Sequence, residues 1–179
     1  MRAGDDAERG DEEERRDAVA RVLITAAAAA LLDRLQEQHG PVMFHQSGGC
    51  CDGSSPMCYP DGDFIVGDRD VLLGVLDVGA GVAVWISGPQ FAAWQHTQLI
   101  IDVVPGRGGG FSLEAPEGVR FLSRGRAFSA DERAALAAVN VIKGADFARG
   151  ERPAARNPVV AEVVDACPVP AGRAESVPR

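Results

Sequence analysis

Apolar residues along this chain fall into short runs separated by glycine, proline and aspartate, with one longer stretch near the start. Val22-Leu-Ile24 is short and β-branched at its ends, and Thr25 can cap a helix from Ala26 to about His39, with Gln38 inside it and Gly40-Pro41 closing it. Ala28, Leu31, Leu32 and Leu35 recur at helical spacing and give that helix one apolar face, which has to pack on something. A sheet is the predicted partner. Val42 to Gln46, Asp63 to Val66, Val71 to Asp77, Val82 to Ser87, Leu99 to Val104, Phe111 to Ala115 and Val119 to Leu122 all read as strands. Gly79-Ala-Gly81 and Gly106 to Gly110 read as connections between neighbouring antiparallel strands. Pro89 suits the first turn of a short helix through Trp94, and Ser129 with Glu132 forms a capping-box pattern before a helix from about Ala130 to Asn140. The expected fold class is α+β: one compact sheet, mixed but mainly antiparallel, with one long helix packed on it.

The two ends lack this pattern. Residues 1 to 17 are almost wholly charged or small, so they bury too little surface to offset the entropy of ordering and read as a disordered acidic tail. Residues 149 to 179 hold five of the eleven prolines and read as a largely disordered tail, in which Val159, Val160, Val163 and Val164 can dock locally. A single α+β domain over 18 to 148 is expected between them, and no internal repeat is present.

Charge narrows the function classes. A formal charge of −8 and a pI near 4.9 argue against nucleic acid, whose affinity rests on Lys and Arg displacing counterions. The longest apolar run, Val22 to Leu32, is too short to cross a bilayer and is preceded by acidic residues where a signal peptide would carry basic ones. A cytoplasmic protein is expected. Thiols are reduced in that compartment, so the four cysteines read as free thiols, metal ligands or redox groups.

Three of those cysteines, Cys50, Cys51 and Cys58, lie within nine positions in His45-Gln-Ser-Gly-Gly-Cys-Cys-Asp-Gly-Ser-Ser-Pro-Met-Cys58. Glycines there let the backbone turn several N–H groups towards a thiolate, and a Gly/Ser/Asp loop offers a thiol little apolar surface. His45 stands close enough to join such a site, Asp52 can ligate a hard metal, and His96, at the start of a predicted strand, can complete it. The candidate metal set is therefore Cys50, Cys51, Cys58, His45 and His96. Two thiolates plus a histidine would leave one tetrahedral position open. In the competing reading Cys50 and Cys51 are small hydrophobes at a strand end and Cys58 packs against Met57 and Tyr59. The spacing does not match the usual zinc pattern of paired cysteines. Cys167 reads as incidental, Arg107-Gly-Gly-Gly110 as a turn, and no Ser/His/Asp set, dinucleotide fingerprint or H-E-x-x-H pair is present. No catalytic residue is assigned.

The string His45 to Cys58, together with His96-Thr-Gln-Leu-Ile-Ile-Asp-Val-Val-Pro-Gly-Arg-Gly-Gly-Gly-Phe-Ser-Leu-Glu114 and Val119-Arg-Phe-Leu122, resembles a family of small bacterial proteins of unknown function. Members of that family are often encoded beside NAD-dependent aldehyde dehydrogenases, which implies an aldehyde dehydrogenase as partner or pathway neighbour. The order of elements is also similar to the A-type iron–sulfur carrier (HesB-like) fold, with Val22 to Leu35, Gly48-Gly-Cys50 and Gly108-Gly-Gly-Phe111 as the counterparts. That resemblance implies that Cys50 occupies the position of the carrier's first cluster ligand. The carriers' C-terminal Cys-x-Cys is absent from Phe121-Leu-Ser-Arg-Gly-Arg126, so Cys51 and Cys58 would have to substitute. The function expected is an accessory protein, more a binder than an enzyme, that holds zinc, iron, an iron–sulfur cluster or a sulfur species. The alternative is a regulatory or binding subunit of an aldehyde dehydrogenase without metal or thiol chemistry, and a homo-oligomer is compatible with either.

Overall fold

The computed structural model describes residues 19–46, 55–107 and 110–160. The predicted tail over 1–17, the loop with Cys50, Cys51 and Asp52, and Val163, Val164 and Cys167 lie outside the described residues. Strand β1 (Val22–Thr25) leads directly into α1 (Ala26–His39), whose run of alanines has high helix propensity. Thr25 caps the helix by accepting a hydrogen bond from Ala28 N at 3.3 Å. Gly40 ends it with φ 78°, a left-handed backbone that favours glycine, and donates to Gln36 O. The strands that follow are β2 (Val42–Gln46), β3 (Met57–Pro60), β4 (Val71–Leu76) and β5 (Val82–Ile86). After α2 (Gly88–Trp94) come β6 (Thr97–Pro105) and β7 (Val119–Ala127), then α3 (Ala130–Ala137), α4 (Gly144–Ala148) and β8 (Val159–Val160).

The fold is α+β, and among the described residues the strands form two mixed sheets of four, ordered β7-β6-β1-β8 and β3-β2-β5-β4. The single sheet expected from sequence is corrected to two; the pairing is mixed, with β1 parallel to both β6 and β8 and β2 parallel to β5, while the antiparallel pairs β2–β3, β4–β5 and β6–β7 hold most of the registered residues. The antiparallel neighbours joined through Gly79-Ala-Gly81 and through the segment after Gly106 are present as β4–β5 and β6–β7. Two predicted strands are not strands. Residues 63 to 66 form a bend in which Phe64 and Val66 still pack inward while Ile65 is exposed. Residues 111 to 115 form a turn entering a short 3₁₀ helix, Ala115–Glu117. Conversely, Met57–Pro60 pairs with β2, and in the segment leading to β8 Asn157 bridges to Leu76 on β4, before β8 joins β1. Asn157 secures that segment through Asn157 N to Val75 O, Asp77 N to Asn157 O, and Asn157 Nδ2 to Val22 O at 2.8 Å.

One core fills the space between the sheets and α1. Val22, Ile24, Leu99, Ile101 and Phe121 come from one sheet, Val42, Phe44, Cys58, Leu76, Val82 and Val84 from the other, and Ala28, Leu31, Leu32 and Leu35 from the helix. Phe44 and Phe121 meet edge to face at 4.8 Å where β2 approaches β7. A second, smaller cluster of Met43, Leu72 and Trp85 lies on the outer face of the β2 sheet, with Tyr59, Phe64 and Phe147 against it. Among the described residues no helix is long and apolar enough to cross a membrane. Phe44→Ala, which removes the ring at the seam, is expected to lower the unfolding free energy by about 3–5 kcal/mol, read from urea denaturation; a loss below about 1 kcal/mol would contradict this packing.

Candidate functional site

Strand β2 is buried on both faces, so its alternating side chains enter two different interiors. Phe44 and Gln46 face the main core, whereas Met43 and His45 face the outer cluster. His45 Nε2 lies 3.0 Å from Asp70 Oδ2. A carboxylate oxygen accepts, so this contact places the ring proton on Nε2. The same oxygen accepts from Gly67 N at 2.9 Å, while Asp70 N donates to Gly67 O, so the Asp70 carboxylate is fixed by its own turn. The His45 ring lies against Phe64 at 4.4 Å, and Phe64 stacks on Tyr59 at 4.9 Å. The other His45 nitrogen, Nδ1, is buried and has no hydrogen-bond partner among the described residues. Leaving such a lone pair unmet costs about 1–3 kcal/mol, and the pairing of a carboxylate on one ring nitrogen with a bare second nitrogen is the arrangement that metal-binding histidines use.

On the opposite face a second polar group is buried. Glu114 is 2% exposed, and its carboxylate accepts from the Ser112 hydroxyl and from Phe121 N. Ser112 Oγ in turn accepts from Cys58 N at 2.9 Å, and Leu113 N donates to Cys58 O, so the Ser112–Glu114 turn is stitched to the edge of β3. Burial raises the Glu114 carboxyl above the usual carboxylate range, against the lowering effect of the Ser112 and Phe121 hydrogen bonds. Burial, reinforced by the nearby Glu114, pushes the Cys58 thiol far up, so it stays protonated. Gln46 belongs to the same interior: its Oε1 accepts from Ser123 Oγ at 2.8 Å, and its Nε2 is buried without a partner among the described residues.

The structure separates two residues that the sequence placed in one set. Cys58 is the register partner of Phe44 and sits in the main core, while His45 pairs with Met57 and points to the other face. Cys58 is packed in the main core, which is not the contact with Met57 and Tyr59 that the competing reading gave it. His96 is exposed just ahead of β6 in the other sheet. Cys50 and Cys51 lie outside the described residues. Among the described residues, no group of three or more His, Cys, Asp or Glu side chains is close enough to hold a metal ion. Asp70, Ser112 and Glu114 escaped the sequence reading. Asp70 lies 25 residues from His45 in the chain, and its one local signal, the turn pattern Gly67-Asp-Arg-Asp70, says nothing of a histidine. Glu114 sat in a stretch read as a strand, and the turn found there exposes Phe111 and buries Ser112 and Glu114.

A two-sheet α+β domain with a carboxylate-held histidine at the end of a central strand is the class that fold and site define. The chain belongs to the family described as Domain of unknown function (DUF779), which matches residues 31–127, just over half of its 179 residues. No curated protein and no solved structure matches the chain.

Two outcomes follow from the inner cluster. A carboxyl whose pKa is raised on folding binds its proton more tightly in the folded state, so stability is expected to fall as pH climbs from about 4.5 through the raised value. Glu114→Gln should flatten that part of the profile in urea melts taken at a series of pH values; an unchanged slope would contradict the assignment. A variant with Cys50→Ser, Cys51→Ser and Cys167→Ser leaves Cys58 alone, and it should resist an aryl disulfide reagent until unfolded. Prompt labelling of the native protein would place that thiol elsewhere.

Proposed function

We propose that this protein is an accessory thiol- and metal-binding protein whose ligands are His45 Nδ1 and the thiols of Cys50 and Cys51, and that it supports aldehyde oxidation beside an aldehyde dehydrogenase. The single observation that carries the reading is the buried Nδ1 of His45, without a partner among the described residues, with Asp70 holding the opposite nitrogen. A neutral imidazole fixed in this tautomer offers its lone pair without reorganisation. Cys50 and Cys51 follow five and six residues later in the sequence, in the Gly/Ser/Asp-rich segment best suited to hold thiolates. The resemblance to A-type carriers, which puts Cys50 at the first ligand position, supports the same choice. Zinc, iron or an iron–sulfur cluster all accept imidazole with thiolate ligands. Cys58, buried among core side chains, and His96, exposed on the other sheet, are left out of the set.

Bound this way, a metal would displace thiol protons, so affinity falls as pH drops through the thiol and imidazole range. Anaerobic titration of the full chain with zinc or ferrous ion tests the reading. His45→Gln, Cys50→Ser and Cys51→Ser should each weaken binding at least tenfold, Asp70→Ala by about 10–100-fold, and Cys58→Ser should leave it unchanged. Equal affinity in wild type and His45→Gln, or no binding at all, would overturn the proposal. Pull-down of the dehydrogenase with wild type and Cys50→Ser tests the partner separately.

A further inference from the structure

The family match ends at residue 127, yet the chain continues through α3 and α4 and returns along the β2 sheet. We infer that Ile142 to Ala145, beyond the family region, is a positioning strap that holds the Asp70 turn against His45. Three backbone hydrogen bonds bracket the carboxylate residue: Leu72 N to Ile142 O at 2.9 Å, Gly144 N to Asp70 O at 2.9 Å, and Ala145 N to Asp68 O at 3.2 Å. Val71 and Lys143 form an antiparallel bridge between them. Asp70 is therefore tied at its own carbonyl and at residues on both sides.

The fit is tight at one point. A Cβ on Gly144 would stand 2.2 Å from Gly67 O, a backbone atom that cannot swing aside as a side-chain end can. Gly67 is the residue whose N–H shares Asp70 Oδ2 with His45. Any side chain at 144 must displace either the strap or the turn that aims the carboxylate. The strap is seated from behind as well: Phe147 meets Trp85 edge to face at 5.2 Å, and Trp85 is the register partner of His45. Asp146 caps its start by accepting from Lys143 N at 2.9 Å. The same contacts that fix the strap thus run to both members of the His45–Asp70 pair.

The consequence for metal binding rests on the proposed function; the positioning does not. The test is the tautomer of His45, read by nitrogen-15 NMR in the metal-free full chain at a pH where the ring is neutral. Wild type should show the Nε2–H form alone. Gly144→Ala should show a mixture, as should Asp70→Ala, in which the acceptor is gone. Asn157→Ala breaks the bond to Val22 O far from the pair, so it should lower stability and leave the tautomer unchanged. Asp146→Ala loosens the strap from a half-buried position and should give a smaller shift in the same direction, which keeps the test available if Gly144→Ala does not fold. A wild-type tautomer in the strap variants, or an equal shift in Asn157→Ala, would overturn the inference. Zinc titration of the same variants should show Gly144→Ala weakened by about 10–100-fold, as expected for loss of a supporting contact to a ligand. A tautomer shift with no zinc binding in any form would leave the strap standing and refute the ligand role of His45.

Discussion

A strand buried on both faces has no neutral side, and β2 imposes that constraint on the whole molecule. Each of its residues is committed to one of two interiors, and a slip of one position would send Phe44 out of the main core and His45 into it. The register with β3 and β5 is fixed by that commitment: Phe44 lies opposite Cys58 and Val84, and His45 opposite Met57 and Trp85. The edge-to-face contact of Phe44 with Phe121 then joins the two sheets at the same level.

The polar groups near β2 follow from the same geometry. On the inner side a carboxylate is buried with hydroxyl and backbone donors, and its effect is to secure the turn after Gly110 to the edge of β3. On the outer side a histidine is oriented by a carboxylate and left with one nitrogen unmet among the described residues. Buried polar atoms without partners are uncommon in folded proteins, and this one lies at the strand end from which the cysteine-bearing segment departs. The inner Ser112–Glu114 pair has its hydrogen bonds made and so reads as structure, although Gln46 Nε2 in the same interior lacks a partner among the described residues, whereas the outer pair keeps the His45 Nδ1 lone pair in reserve beside the cysteine-bearing segment and so reads as a site.

Asp102 provides the corresponding stitch in the other sheet. It accepts from Thr25, which also caps α1, and from Arg124 on β7 at 2.7 Å. Burial alone would raise its carboxyl, but hydrogen bonds from Arg124, Val103 N and Thr25 hold it below the usual range. The same side chains that end β1 therefore begin the helix and tie three strands together, which sets where α1 lies on the core.

The sequence by itself determined the local elements. The Thr25 cap, the alanine run, Gly40, the Ser129–Glu132 box and most short apolar runs each act over a few residues, and the structure has those elements near the expected positions. It also singled out His45, because a histidine beside a thiol-rich segment is unusual wherever the strands go. Pairing was beyond its reach. β1 meets β6 across some 75 residues, and nothing in an alternating pattern says which strand lies alongside, so the parallel neighbours and the second sheet were decided only by packing. The same holds for the site: that His45 and Cys58 turn to opposite faces depends on register, and that Asp70 reaches His45 depends on a turn held by Gly144 from the far end of the chain. Local chemistry is written in neighbouring residues, but the choice of facing partners is made by the core that all of them must share.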